Sequence, residues 1–121
     1  MQTRRRRLDP HRIRLVDARG VLGRLRGLLC RASPPGPRAG LRLSPCWAVH
    51  TIGMRYPIDV AFVNRNGRVR RLVRYLNPGR VAFSIGACSV IELAVNTKDS
   101  PLRYQRRLRL AIRHAQIDDA G

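Results

Sequence analysis

An Asn-Gly step at Asn66 and Gly67, set between apolar runs at 58–63 and 68–76, constrains this chain more than any other feature. Both residues tolerate the positive φ values that a two-residue type I′ turn demands, so the step predicts a tight β-hairpin. The first arm, Ile58 through Val63, is mostly β-branched or aromatic and too short for a core helix, which predicts a largely buried strand. One acid, Asp59, interrupts it. The return arm carries Arg70, Arg71 and Arg74, which blur the alternation and mark a wet face or an edge that charge keeps from pairing with other chains.

Upstream, Trp47, Val49 and Thr51 alternate with Cys46, Ala48 and His50 as an extended segment does, placing Cys46 and His50 on one face. Gly53, free to take a positive φ, and Pro57, which drives Tyr56 out of the helical region, turn 52–57 into a loop. Residues 12–16 predict a first strand with Ile13 and Leu15 inward, and Asp17 could cap the element after it. Val21, Leu22, Leu25, Leu28 and Leu29 recur at three and four, the spacing of a short helix over 21–31. Residues 32–40, rich in Pro and Gly, form a loop into a strand at 41–43. Asn77, Pro78 and Gly79 turn the chain again, and 81–85 and 88–95 predict two more strands, with Cys88 a small core residue. From residue 101 two periods compete: Tyr104, Leu108, Ala111, Ile112 and Ala115 have helical spacing, while Leu108, Leu110 and Ile112 alternate like a strand.

With 121 residues the chain suits one domain, 12–112, between a basic arm at 1–11 and a tail at 113–121. Lysine and arginine number 25, of which only Lys98 is lysine, against 7 acids, for a net charge of +18. Such a charge attracts anionic ligands, acidic surfaces and nucleic acid, and salt weakens all three. The arginines are dispersed and aromatics make up only 5% of residues, which argues against a dedicated nucleic-acid site. Cys30, Cys46 and Cys88 are an odd set without close pairing, which points to a reducing, cytoplasmic setting, and no run is long enough for a transmembrane segment. Cys46 and His50 would supply only half of a metal site, and no phosphate loop, dinucleotide fingerprint or zinc-protease motif appears, so neither a metal nor a cofactor is expected.

Residues 50–62, with His50, Thr51, Gly53, Met54, Pro57, Ile58, Asp59, Val60 and Phe62, resemble the HT-x-GM-x-x-PIDV-x-F signature of the family catalogued as domain of unknown function 192. Residues 24–28 and 90–93 resemble that family's R-x-x-GL and VLEL elements, so the likeness covers 15–110. It implies a mainly β (α+β) fold, a small barrel-like sheet with one short helix packed on it, and no established activity. It also favours a last strand at 107–112. Asn96 stands where the family usually has glycine, and Gln105 and Arg106 stand where it commonly has a glycine-aspartate turn.

The candidate site is where the central loop meets the hairpin. His50 beside Asp59 would be a catalytic pair, a base held in one tautomer by a carboxylate. Thr51, Met54, Arg55 and Cys46 would join them around a ligand. Equally, a carboxylate in a buried strand can anchor a loop by accepting backbone N–H groups, and His50 can bond to loop backbone. Three functions stay open: a binding or interaction module for an anionic small ligand or acidic partner, an enzyme using His50 and Asp59, and non-specific nucleic-acid binding through dispersed arginines.

Overall fold

The computed structural model describes residues 12–17, 29–32 and 39–120. Among the described residues eight strands and one helix come in order: β1 (Arg14–Asp17), β2 (Leu29–Arg31), β3 (Ala39–Leu43), β4 (Ala48–His50), β5 (Ile58–Asn64), β6 (Val69–Leu76), β7 (Val81–Phe83), β8 (Ala87–Leu93) and α1 (Pro101–Ala120). They build a five-stranded sheet, β1-β3-β8-β5-β6, and a three-stranded sheet, β2-β4-β7. The fold is mainly β with one helix packed on a sheet, as expected, although two separate sheets take the place of a closed barrel.

Alternation along β5 explains the layering. Ile58, Val60 and Phe62 turn one way and meet Cys30, Val49 and Ala82 of the three-stranded sheet; Ala61 and Val63 turn the other way and meet Tyr104, Leu108, Ala111 and Ile112 of α1. The five-stranded sheet is therefore covered on both faces. That is why β5 is buried at every position but its last. Across the sheet edges, Arg71 of β6 donates to the Phe83 carbonyl of β7 at 2.6 Å.

The hairpin forms where the Asn-Gly step predicts it, but with a different turn. Gly67 has φ 82 while Asn66 stays at negative φ, and the Gly67 and Arg68 N–H groups bond to the Asn64 carbonyl and side chain at 3.0 and 2.9 Å. Three residues, 65–67, cross over instead of two. The Asn64 side chain also takes the Asn66 N–H at 2.9 Å, and this local bond favours a type I turn closed by a left-handed glycine.

Three further expectations are corrected. Residues 107–112 are not a strand: they lie inside α1, whose 20 residues run on to Ala120. Tyr104, Leu108, Ala111 and Ile112 are buried at helical spacing, while Leu110, which strand alternation would bury with its neighbours, is 47% exposed. Residues 29–31 of the supposed helix form β2, paired in parallel with β4. The rest of that helix and the basic arm lie outside the described residues. Cys88 is exposed, because β5 and β8 slip register between Val63 and Asn64.

Leu108, fully buried under the sheet, ties α1 to the rest. Leu108→Ala should lower unfolding free energy by about 2–5 kcal/mol, read as a shifted urea midpoint with an unchanged slope.

Candidate functional site

Thr51, not His50, is the organising residue of the central loop. It has no exposed surface; its hydroxyl donates to the Asn77 carbonyl at 2.7 Å and accepts the Arg80 N–H at 2.9 Å. Its backbone N–H reaches the Arg80 carbonyl at 2.8 Å, and its carbonyl accepts the N–H groups of Met54 and Gly79 at 3.1 and 3.0 Å. One residue thus latches the 52–57 loop to the turn between β6 and β7. His50 is half-buried on the side of β4 opposite Val49, and its Nδ1 accepts the Ile52 N–H at 3.3 Å.

Asp59 faces the other way. Fully buried, it accepts the Tyr75 N–H at 2.8 Å, the Asn96 N–H at 3.0 Å and the Tyr104 hydroxyl at 2.6 Å. β5 and β6 slip register between Ile58 and Val60, so Arg74 and Tyr75 both stand opposite Asp59. Tyr75 takes φ 60, and the acid satisfies the N–H that this bulge turns inward. Burial, and then Asp59 itself, push the Tyr104 phenol far above its ordinary range, so it remains a proton donor. The donors come from β6, the segment after β8 and α1, not from the loop before β5.

The catalytic pair is therefore not assembled. Asp59 lies on the helix-facing side of the five-stranded sheet, and His50 lies in the other sheet, beyond the opposite face. Glu92 pairs with Val60 in the register and shares the inter-sheet face, so Asp59 and Glu92 do not meet either. Cys46 does not share a face with His50: it precedes β4, is buried between the sheets beside Cys30, and donates to the Ala48 carbonyl at 3.0 Å. Burial pushes both thiols up. Met54 packs partly against the inter-sheet core and Arg55 is exposed. Among the described residues no three His, Cys, Asp or Glu side chains gather as metal ligands would.

Among the described residues three grooves border α1, and the two larger ones differ in their electrostatics. The first, of about 570 Å3, includes Asn96, Lys98, Asp99, Arg103 and Arg107. Asp99 sits within it, paired with Arg107 and with Arg103 at 3.2 Å, and accepting the Asn96 amide at 2.9 Å. The Asn96 amide and then Arg107 hold the Asp99 carboxyl below its ordinary 3.8. Arg74 closes the same corner, donating to the Asn96 and Asp99 carbonyls while lying 4.8 Å over the Tyr104 ring. The charges here are largely consumed by structure.

The second groove, of about 540 Å3, runs between the hairpin tip and α1 and is lined by Asn66, Arg68, Gln105, Arg109, Arg113 and Gln116 among others, none of them an acid. Gly67 lets the tip approach the helix, since a Cβ there would stand 2.6 Å from the Gln116 amide. No ion pair among the described residues involves Arg68, Arg109 or Arg113. Sequence reasoning misses this site because it treats 107–112 as strand. The available signal is the helical set 105, 109, 113 and 116, which flanks the buried set 104, 108, 111 and 112.

Comparison with protein-family models, curated proteins and solved structures found no match.

Asp59→Asn, which sets an amide N–H2 against N–H and O–H donors, should cost about 1–3 kcal/mol in urea unfolding; His50→Ala, losing one long exposed bond, should cost no more than about 1 kcal/mol. Because the Asp99 carboxyl is depressed in the folded state, its contribution is complete above its unfolded value and is lost as pH falls through the folded one. The stability gap between wild type and Asp99→Ala should accordingly be widest near neutral pH and shrink below about pH 4, followed by melts across an acid series.

Proposed function

We propose that this chain is a binding module for a multiply charged anion, a phosphate-bearing ligand or an acidic protein surface, held in the groove between the β5–β6 hairpin and α1. What carries the proposal is the lining of that groove: three guanidiniums and three side-chain amides, with no carboxylate. Guanidinium groups suit this task because their planar fork matches phosphate or carboxylate oxygens two at a time. The net charge of +18 adds a long-range attraction that raises the encounter rate and fades with salt. Arg109 and Arg113, one helical turn apart, repel each other, so the empty groove is held together at some cost to stability.

Catalysis by His50 and Asp59 has no comparable support, because the two side chains belong to different faces of the molecule. Kinship with the domain of unknown function 192 family belongs to the proposal as well. It is supported by the motif at 50–62, whose threonine latches the central loop and whose aspartate is the buried acceptor for β6, the segment after β8 and α1. No described helix is long and apolar enough to cross a membrane. Free cysteines, two of them buried thiols, support a reducing cytoplasmic residence.

Pyrophosphate, added against sodium chloride of equal ionic strength, tests the proposal. At ten times its Kd it should stabilise the wild type by about 1.4 kcal/mol in thermal unfolding. Arg109→Gln with Arg113→Gln should abolish that gain while leaving the ligand-free protein as stable or slightly more so. Equal stabilisation of wild type and double variant would sink the proposal.

A further inference from the structure

We propose that the ligand is an extended phosphate chain, whether of phosphodiesters or phosphoanhydrides, that leaves the hairpin groove and continues along the outer face of α1. This rests on the anion-binding role of the groove and adds its ligand class.

The observation behind it is a row of exposed arginines on α1: Arg113, Arg109, Arg106 and Arg103, each three or four residues from the next. Residues at that spacing are neighbours on a helix surface, so the four side chains form one strip. From Arg103 to Arg113 the strip rises about 15 Å, or about 5 Å per step. A single phosphate engages one end of such a row. A chain bearing one negative charge per link, spaced about 3.4 Å apart in a stacked strand and wider when extended, can engage all of it. The third groove, of about 350 Å3, includes Arg103 and Arg106 and carries the concave surface onward along the helix. Among the described residues Arg106, Arg109 and Arg113 make no ion pair, and only Arg103 shares its charge, with Asp99 at 3.2 Å.

The lining also says what is not read. Neither of these two grooves includes an aromatic side chain, so bases have no platform to stack on and recognition stops at the phosphates. An anionic membrane is the main rival, because Leu102 and Leu110 stand exposed in the strip. Two leucines are a small apolar face for insertion, and the broad apolar face of α1 is already committed to the sheet.

The 121-residue protein is titrated by fluorescence anisotropy against a labelled oligothymidylate of roughly twenty nucleotides, with unlabelled pyrophosphate and inorganic polyphosphate as competitors. Polyphosphate should compete at phosphate-equivalent concentrations at least about tenfold below those of pyrophosphate. Arg103→Gln with Arg106→Gln should weaken the chain and make the log K against log salt slope shallower by about 1.4, while leaving pyrophosphate affinity unchanged. Arg109→Gln with Arg113→Gln should weaken both ligands, and Arg55→Gln with Arg80→Gln, an equal loss of charge away from α1, neither. Thermal melts of each variant confirm folding.

If the chain binds no better than pyrophosphate, or is indifferent to Arg103 and Arg106, the chain proposal is overturned and the groove survives. If pyrophosphate itself ignores Arg109 and Arg113, both fall. Polyphosphate binding without oligothymidylate binding upholds the chain and assigns it to phosphoanhydrides. Tighter binding to phosphatidylserine vesicles than to either chain, lost in Leu102→Ser with Leu110→Ser, overturns the proposal in favour of the membrane.

Discussion

Taking a carboxylate out of water costs several kcal/mol unless the protein returns the hydrogen bonds that water gave, and Asp59 sits where no water reaches. Its three donors come from the β6 bulge, from the segment after β8 and from α1, which lie 16, 37 and 45 residues from it in the chain. Each donor is in turn committed: the Tyr75 and Asn96 N–H groups lie outside the regular ladder, and the Tyr104 hydroxyl is at the buried face of the helix. Asp59 thus adds a directional anchor to the apolar packing of Tyr104, Leu108, Ala111 and Ile112 that seats α1 on the sheet. The hairpin groove depends on that seating, because five of its nine lining residues belong to α1 and four to the hairpin that β5 begins.

Most strands are legible in the sequence because alternation and turn residues act locally, and local signals survive whatever packs above them. β5 and β6 are the clearest case. Asn66-Gly67 announces the hairpin, yet Asn64 decides the turn type, through side-chain bonds to two N–H groups that a dipeptide rule does not weigh. Residues 101–120 are harder because Leu108 and Ile112 satisfy both periods; Tyr104 breaks the tie through its bond to Asp59, a contact across 45 positions that no local pattern contains. The resemblance to a known family pulls the same segment towards strand, although Gln105 and Arg106 already depart from the family pattern there.

The candidate site divides along the same line. Asp59 as a loop anchor is readable from its burial in an apolar strand, and the structure places it in such a role with different donors. His50 and Asp59 look adjacent because they flank one loop, but β4 and β5 belong to different sheets, and the direction of a side chain depends on which sheet its strand joins. The arginine groove is invisible for the opposite reason. Arg68 and Arg109 are far apart in the chain, and only the docking of α1 beneath the hairpin makes them neighbours.

Arg71 has a consequence for how copies of this protein meet one another. β6 and β7 are the outer strands of their sheets, and the carbonyl of Phe83 is one of the groups a foreign strand would seek. The Arg71 guanidinium occupies it from within the same molecule. An invading peptide must displace that internal bond and accept a cation at the junction of the two edges, so strand-by-strand growth into fibrils meets a barrier that comes from inside the fold and persists at ionic strengths where mutual charge repulsion between molecules has faded.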